Sequence, residues 1–190
     1  MFTDKAPKTR GAAWIPPFKE IPMSATLSYE DAVDLLDADH KLVQKLFLDY
    51  QAMSEDGAPP GARQQLANKI CQDLTVHTQI EEEIFYPRVR FAIGDDSLMD
   101  EALREHAEAK DAIARIQGMS PEDPGYDDTV KQLESSVLNH VMEEREQMFL
   151  RARYSTADLR GMVPELYARK KELQGTSPTP RAAGTRKEKS

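Results

Sequence analysis

Apolar residues recur along most of this chain in steps of three and four, the period of an α-helix that buries one face. Val33, Leu36, His40, Val43, Phe47 and Tyr50 make the first such seam. Ser28, followed by Tyr29, Glu30 and Asp31, reads as its N-cap with acids in the first turn. Residues 55–61, rich in Gly and Pro, form a loop. A second helix is expected over 62–90, with Leu66, Ile70, Leu74, His77, Glu81 and Ile84 inward and Pro87 kinking or stopping it near its end. Residues 94–97 turn the chain. Ser97 then caps a third helix that shares one face among Met99, Leu103, His106, Lys110, Ile113 and Ile116 or Gln117. After a loop at 118–125, a fourth helix over 127–153 aligns Val130, Leu133, Val137, His140, Glu144 and Met148.

Four long helices joined by short loops predict an all-α fold, an up-down-up-down four-helix bundle over residues 27–154. Residues 1–26 contain Pro7, Pro16, Pro17 and Pro22 and cannot be one continuous helix. With Trp14, Ile15 and Phe18 they form either an N-terminal arm across the bundle or a disordered leader. Residues 155–174 read as an extra C-terminal helical segment, broken by Gly161 and Pro164 and stopped by Gly175. Residues 175–190 have nothing to bury and are expected to be a disordered basic tail.

The four histidines of the chain, His40, His77, His106 and His140, fall one per helix, each on the inward seam. Two of them lead a carboxylate by four residues, in His77-x-x-x-Glu81 and His140-x-x-x-Glu144. Residues four apart lie side by side on a helix. Packing the four helices therefore converges four imidazoles and two carboxylates on one interior point. Taking such groups out of water costs several kcal/mol each unless something compensates them. A divalent cation pair would do so, and this nitrogen and oxygen donor mix suits iron, manganese or zinc. The competing reading is a buried, hydrogen-bonded His/Glu network without metal. Glu82 and Glu83 belong to a solvated face, and Glu143 and Glu146 point outward. The order His-x-x-x-Glu disfavours the ferritin-like di-iron bundles, which use Glu-x-x-His. The metalloprotease motif His-Glu-x-x-His is absent.

Composition narrows the partners. The 190 residues carry a formal net charge of −8, unevenly spread: residues 169–190 hold seven Lys/Arg against two Glu, a net of +5, which leaves −13 on residues 1–168. An acidic body argues against nucleic acid, whose phosphates need a basic footprint. The basic end reads as a solvated tail, with an anionic-surface tether as the alternative. Cys71 is the lone cysteine, so no intrachain disulfide forms, and a small, partly buried helix residue accounts for it. No apolar run is long enough for a membrane span. The apolar stretch before Pro16 is too short for a signal-peptide core, so a cytoplasmic protein, monomer or homodimer, is expected.

The stretches Asp37-Ala38-Asp39-His40, His77-Thr78-Gln79-Ile80-Glu81-Glu82-Glu83-Ile84-Phe85-Tyr86-Pro87, Glu105-His106-Ala107-Glu108-Ala109-Lys110 and His140-Val141-Met142-Glu143-Glu144 resemble the hemerythrin-like family, specifically the bacterial proteins with the HHE cation-binding domain. The end of the C-terminal segment, Arg169-Lys170-Lys171-Glu172-Leu173, is also similar to the closing helix of that group. The resemblance implies two non-haem Fe ions joined by an oxo or hydroxo group and by bridging carboxylates, with Mn or Zn as substitutes. Carried over by position, His40, His77, His106 and His140 are ligands and Glu81 and Glu144 bridge. It further implies a small ligand, whether dioxygen, nitric oxide or peroxide, that is bound or sensed. A di-iron enzyme with peroxidase-like or nitric-oxide-reducing activity, or an iron store or donor, is the alternative. Oxygen-carrying members have a fifth histidine one turn after the third-helix ligand; here Lys110 stands there. Many bacterial relatives also read His-His at the fourth-helix motif and close it with a proline, where this chain has Asn139 before His140 and Leu150. Fewer imidazoles imply a more open iron pair. Leu36, Val43, Leu74, Ile84, Val137 and Met148 are expected to keep water from it. Tyr50 and Tyr86 are either donors beside the site or plain core and rim tyrosines.

Overall fold

A computed structural model describes residues 29–176 of the chain, and Ser28, the expected N-terminal arm and the basic tail lie outside them. Among the described residues there are only helices and turns. Helix α1 spans Ala32–Glu55. The second column is α2 (Pro60–Ile80), a π-helical turn (Glu81–Phe85) and α3 (Tyr86–Ile93) in unbroken succession. Helix α4 (Asp96–Gly118) follows, then a fourth column of α5 (Tyr126–Glu143), a second π turn (Glu144–Phe149) and α6 (Leu150–Tyr154). Contacts run α1 to α2, α2 to α4, α4 to α5 and α5 back to α1, so the columns close a four-membered ring with up-down-up-down connections. A further helix, α7 (Leu159–Thr176), lies against α1 and α2.

Local chemistry sets the ends differently from expectation in several places. Asp31, not Ser28, caps α1: its carboxylate accepts from the Asp34 N–H at 3.0 Å. Asp95 caps α4 by accepting from the Leu98 N–H, and Ser97 donates to that same carboxylate at 2.7 Å instead of capping. An aspartate in extended backbone just ahead of the helix is the better acceptor at both sites. Helix α2 starts at Pro60, where the missing N–H is one the first turn would leave unpaired anyway. Pro87 neither stops nor breaks the second column. The π turn before it, with the Tyr86 N–H bonded to the Glu81 carbonyl, has already interrupted the regular i to i−4 ladder that the proline would disrupt. The column ends at Gly94, whose φ of 68° forms a left-handed C-cap.

The inward seams of the first and fourth columns are buried as expected, and Leu66 is half-buried in the second. The third seam is corrected. Leu103 and Lys110 face outward, and the buried seam is Met99, Ala102, His106, Ala109, Ile113 and Ile116, with Ala112 buried beside it. Small alanines at 102 and 109 keep the same period of three and four while letting α4 approach its neighbours. Helix α7 runs through Gly161 and Pro164 and past Gly175, which were expected to break and stop it. Pro164 lies early in the helix, where it forfeits a single hydrogen bond, and Leu159, Met162 and Leu166 anchor that stretch in the core.

The core falls into two apolar halves. One gathers Leu35, Leu36, Ile80, Phe85, Met99, Met148, Phe149 and the α7 residues Met162 and Leu166. The other gathers Val43, Phe47, Ile70, Leu74, Ile113, Ile116, Leu133 and Val137. The four histidines occupy the layer between them, each with an apolar residue of one half before it on its helix and of the other half after it. No helix among the described residues is long and apolar enough to cross a membrane.

Leu166 is fully buried and is the deepest contact of α7. Leu166→Ala is expected to destabilise the protein by about 2–5 kcal/mol. Urea denaturation followed by far-UV circular dichroism measures this, and a loss under about 1 kcal/mol would mean that α7 is not part of the cooperative core.

Candidate metal centre

The six residues selected from the sequence meet in that central layer, and all six are buried. Glu81 is 0% and Glu144 1% exposed, values reached by carboxylates only when something compensates their charge. The imidazoles point their Nε2 atoms at one another: His40 and His77 at 2.8 Å, His106 and His140 at 3.2 Å. Glu81 Oε2 lies 3.2 Å from His77 Nε2 and 3.4 Å from His106 Nε2. Glu144 Oε2 lies 3.3 Å from His40 Nε2 and 3.5 Å from His140 Nε2. These approaches are close but not aligned as hydrogen bonds, so both Glu81 oxygens and Glu144 Oε2 are buried without a hydrogen-bond partner.

This geometry differs from a satisfied core network, which places a donor against every acceptor: the paired Nε2 atoms can share a proton in the right tautomers, but both Glu81 oxygens and Glu144 Oε2 have no donor. Separations near 3 Å are the edges of a polyhedron whose metal–ligand bonds are roughly 2.1 Å. Two sets of donor atoms come close enough to share an ion: His40, His77, Glu81 and Glu144, and Glu81, His106 and His140. Glu81 belongs to both, and Glu144 touches an imidazole from each. The residues present fit a pair of cations.

Three imidazoles are backed by acids at their outer nitrogen. Glu82 Oε1 stands 2.9 Å from His106 Nδ1, and Glu105 Oε2 stands 2.8 Å from His140 Nδ1. Asp39 Oδ2 stands farther off, 3.6 Å from His77 Nδ1, and His40 Nδ1 has no partner. Such acids fix the tautomer and the orientation of a ligating imidazole. Glu82 is therefore no solvated acid; Glu83 is one, paired with Arg169 on the surface. Lys110, expected on the inward face, reaches around to both Glu82 oxygens at 2.7 Å. Each backing acid sits next to a core ligand in sequence, Asp39 before His40, Glu82 after Glu81 and Glu105 before His106, yet serves a histidine on the next helix. One residue turns a helix by about 100°, which aims the neighbour of an inward residue at the adjacent column.

Tyr86 is also part of the site, unlike Tyr50, which donates to Asp127 at 2.6 Å toward the far end of the bundle. The Tyr86 hydroxyl donates to Glu144 Oε1 at 2.8 Å and lies 3.2 Å from His106 Nε2. On a regular helix Tyr86 would be turned about 140° from Glu81. The intervening π turn, closed by the bond from residue 86 to residue 81, brings it back to the same face. The second π turn does the same for Phe149, five residues after Glu144, which stacks on His40 at 5.6 Å. Leu36, Val43, Leu74, Ile84, Val137 and Met148 are all buried around the layer. A cavity of about 20 Å³ adjoins all four histidines and is closed by Leu74, Val137, Val141 and Ala109. That is room for about one water-sized molecule.

The chain belongs to the family described as the Hemerythrin HHE cation binding domain, which it matches over residues 31–152. It is 32% identical over 143 residues to a protein of Nostoc sp. (strain PCC 7120) named DNA nickase, covering 74% of this chain but 39% of that protein. The chain thus spans about two fifths of the length of that relative. Its fold is similar to the crystal structure of a hemerythrin HHE cation-binding domain-containing protein from Mycobacterium kansasii, with a TM-score of 0.64 at 21% identity over 77% of this chain and 88% of the other. A metal-binding site built of His and Glu is what family and geometry together define.

Without a cation the carboxylates cannot both ionise cheaply. Burial, and then the Glu144 charge, push Glu81 up to about 8. Burial would raise Glu144 as well, but His140 and His40 outweigh it and hold it low. Burial lowers His40 to about 4. His77 and His140 are raised, because neighbouring carboxylates outweigh the burial that would lower them. A raised acid is protonated in the folded chain where the unfolded chain has released its proton, so its stabilisation fades as pH rises. The raised histidines act in the same sense, and the His40 effect is complete above its ordinary value of 6.5. The metal-free protein is therefore expected to lose stability between pH 6.5 and 8, with a shallower slope in Glu81→Gln. Urea midpoints of the metal-free protein across that range are the test, and a midpoint that rises with pH contradicts the assignment.

Proposed function

We propose that this chain is a non-haem di-iron protein that binds or senses a small ligand of the size of dioxygen, nitric oxide or peroxide. The observation that carries the reading is the buried Glu81, shared by two His/Glu clusters with both oxygens orphaned, beside a cavity for one small molecule. His40 and His77 would hold one iron and His106 and His140 the other, with Glu81 and Glu144 bridging. An iron pair supplies a redox-active, Lewis-acidic centre for such a ligand. The residues around it then have definite tasks. Glu82 and Glu105 orient His106 and His140. Tyr86 holds a proton on its hydroxyl against Glu144 Oε1, since burial and then the Glu144 charge keep the phenol well above its usual ionisation range. The Tyr86 oxygen also lies 3.2 Å from His106 Nε2, so the phenol packs against this imidazole as well. Leu74, Val137 and Val141 keep bulk water from the cavity.

Two neighbouring readings share the site and separate by behaviour. Turnover of peroxide or nitric oxide by the reduced protein would make it an enzyme; rapid loss of iron to a mild chelator would make it a store or donor. Strand nicking is favoured only by the name of the Nostoc relative and requires that the activity reside in the shared 39% of that protein. The net charge of −13 on residues 1–168 works against a phosphate footprint. Incubating supercoiled plasmid with the iron-loaded chain separates the two, and accumulation of open-circular DNA would favour nicking.

Anaerobic loading with ferrous iron is expected to give close to two irons per chain by elemental analysis. His77→Ala and Glu144→Ala should each weaken iron binding by at least about tenfold, the loss seen even for outer partners of a metal site. Glu83→Ala should retain full occupancy, because Glu83 faces Arg169 on the surface. Equal loss from all three variants, or a folded wild type that takes up no iron, removes the reading.

A further inference from the structure

The acids that back the imidazoles do not hold them equally. Glu82 and Glu105 lie within hydrogen-bond distance of theirs, at 2.9 and 2.8 Å, but Asp39 stands 3.6 Å from His77 Nδ1, beyond a hydrogen bond. Both His77 Nδ1 and Asp39 Oδ2 are buried and, though near each other, have no hydrogen-bond partner. The other oxygen of Asp39 is taken by Lys170, which reaches in from α7 with only 17% of its side chain exposed. Lys69, the other lysine beside this spot, is occupied by Asp73. A cavity of about 50 Å³ bordered by Asp39, His77, Asp73, Lys170 and Gln174 leaves Asp39 space to move. A lysine on a backing acid does not by itself cause the separation: Lys110 binds both oxygens of Glu82, and Glu82 still reaches His106. What differs is that Lys170 approaches from α7, a helix outside the four-column ring.

We propose that Lys170 is a positioning residue of the metal centre. By holding Asp39 Oδ1 it keeps Asp39 Oδ2 out of reach of His77 Nδ1, so α7 sets how firmly His77 is held and how readily metal leaves the His40/His77 position. The inference rests on the metal-centre reading given above. It requires an unusual sign: removing the lysine should tighten the site. Freed of Lys170, Asp39 can close on His77 and back it as Glu82 backs His106.

The test uses the full chain loaded anaerobically with ferrous iron and then mixed with excess chromogenic ferrous chelator. Lys170→Met is expected to slow iron release about threefold, a modest share of the 10–100-fold that outer partners command. Lys170→Arg should release iron like the wild type, and Lys110→Met should not slow it. In the Asp39→Ala background, adding Lys170→Met should change nothing further, because no acid is then left to close on His77. A lysine that only pins α7 to the bundle behaves oppositely, since its loss would speed release and would do so with or without Asp39. Faster or unchanged release in Lys170→Met, or the same slowing in the Asp39→Ala background, overturns the proposal. Should Lys170→Met not fold, as judged by circular dichroism, Lys170→Gln carries the same comparison. A wild type that binds no iron overturns the metal-centre reading itself, which distinguishes the two failures.

Discussion

Four imidazoles and two carboxylates sit buried in the middle of the bundle, and the rest of the structure is arranged around that cost. Burying an uncompensated carboxylate is worth several kcal/mol against folding, and here two of them face each other. The apolar core consequently stops on either side of the layer, with Leu36, Ile80 and Met148 below and Val43, Leu74 and Val137 above. Without a cation, Glu81 keeps a proton up to about pH 8, the cheapest relief the site can find by itself. Metal bound in this layer would remove the need for that proton and give partners to the oxygens left orphaned. The same constraint explains why the backing acids come from neighbouring helices. An acid on the ligand's own face would add to the buried negative charge, whereas one at the helix flank stays near water, as Glu82 does beside Lys110.

The two π turns are the backbone counterpart of this demand. Each begins at a core glutamate, Glu81 or Glu144, and each returns the residue five places on to the interior. In the second column that residue is Tyr86, which gives Glu144 a hydrogen bond; in the fourth it is Phe149, which covers His40. The widened turns therefore do the work of an extra residue on the inward stripe, at places where a regular helix would have turned both aromatics away. Pro87 is tolerated for the same reason.

Period alone was enough to find the six central residues, because a helix that buries a histidine must carry it on the seam and a carboxylate four residues on shares that face. Period could not find Tyr86, since the turn that redirects it departs from the period. Nor could it find Asp39 and Glu105, which look like solvent-side acids until the neighbouring helix is in place. The third helix misled by the same rule: Leu103 is apolar and Lys110 is correctly spaced, but Ala102 and Ala109, small and easily passed over, are the residues α4 buries. Helix ends failed for a different reason. Where two cap residues stand within three positions of each other, as with Ser28 and Asp31 or Asp95 and Ser97, composition cannot say which adopts extended backbone. In helix α7 the propensities of Gly161 and Pro164 point to a break, but Met162 and Leu166 bury enough surface to hold it.

The two faces of the central layer are unlike, and that bears on what can reach it. Glu81, Glu144 and Tyr86 close one side with charge and hydrogen bonds, and Phe149 seals the His40 edge. The cavity of about 20 Å³ lies on the other side, walled by the imidazoles themselves and by Leu74, Val137 and Val141. Ala109 and Ser136 also line it. A molecule that approaches this layer from the cavity meets the imidazoles first and the carboxylates last. It also meets few hydrogen-bond partners on the way, since the cavity walls are mostly hydrocarbon and the nearest acid, Glu105, is engaged with His140. Such a path admits a small, weakly hydrated molecule more readily than an anion, whose desolvation the walls do nothing to repay. Size and polarity, more than any single recognising group, are therefore what this side of the layer offers for selection.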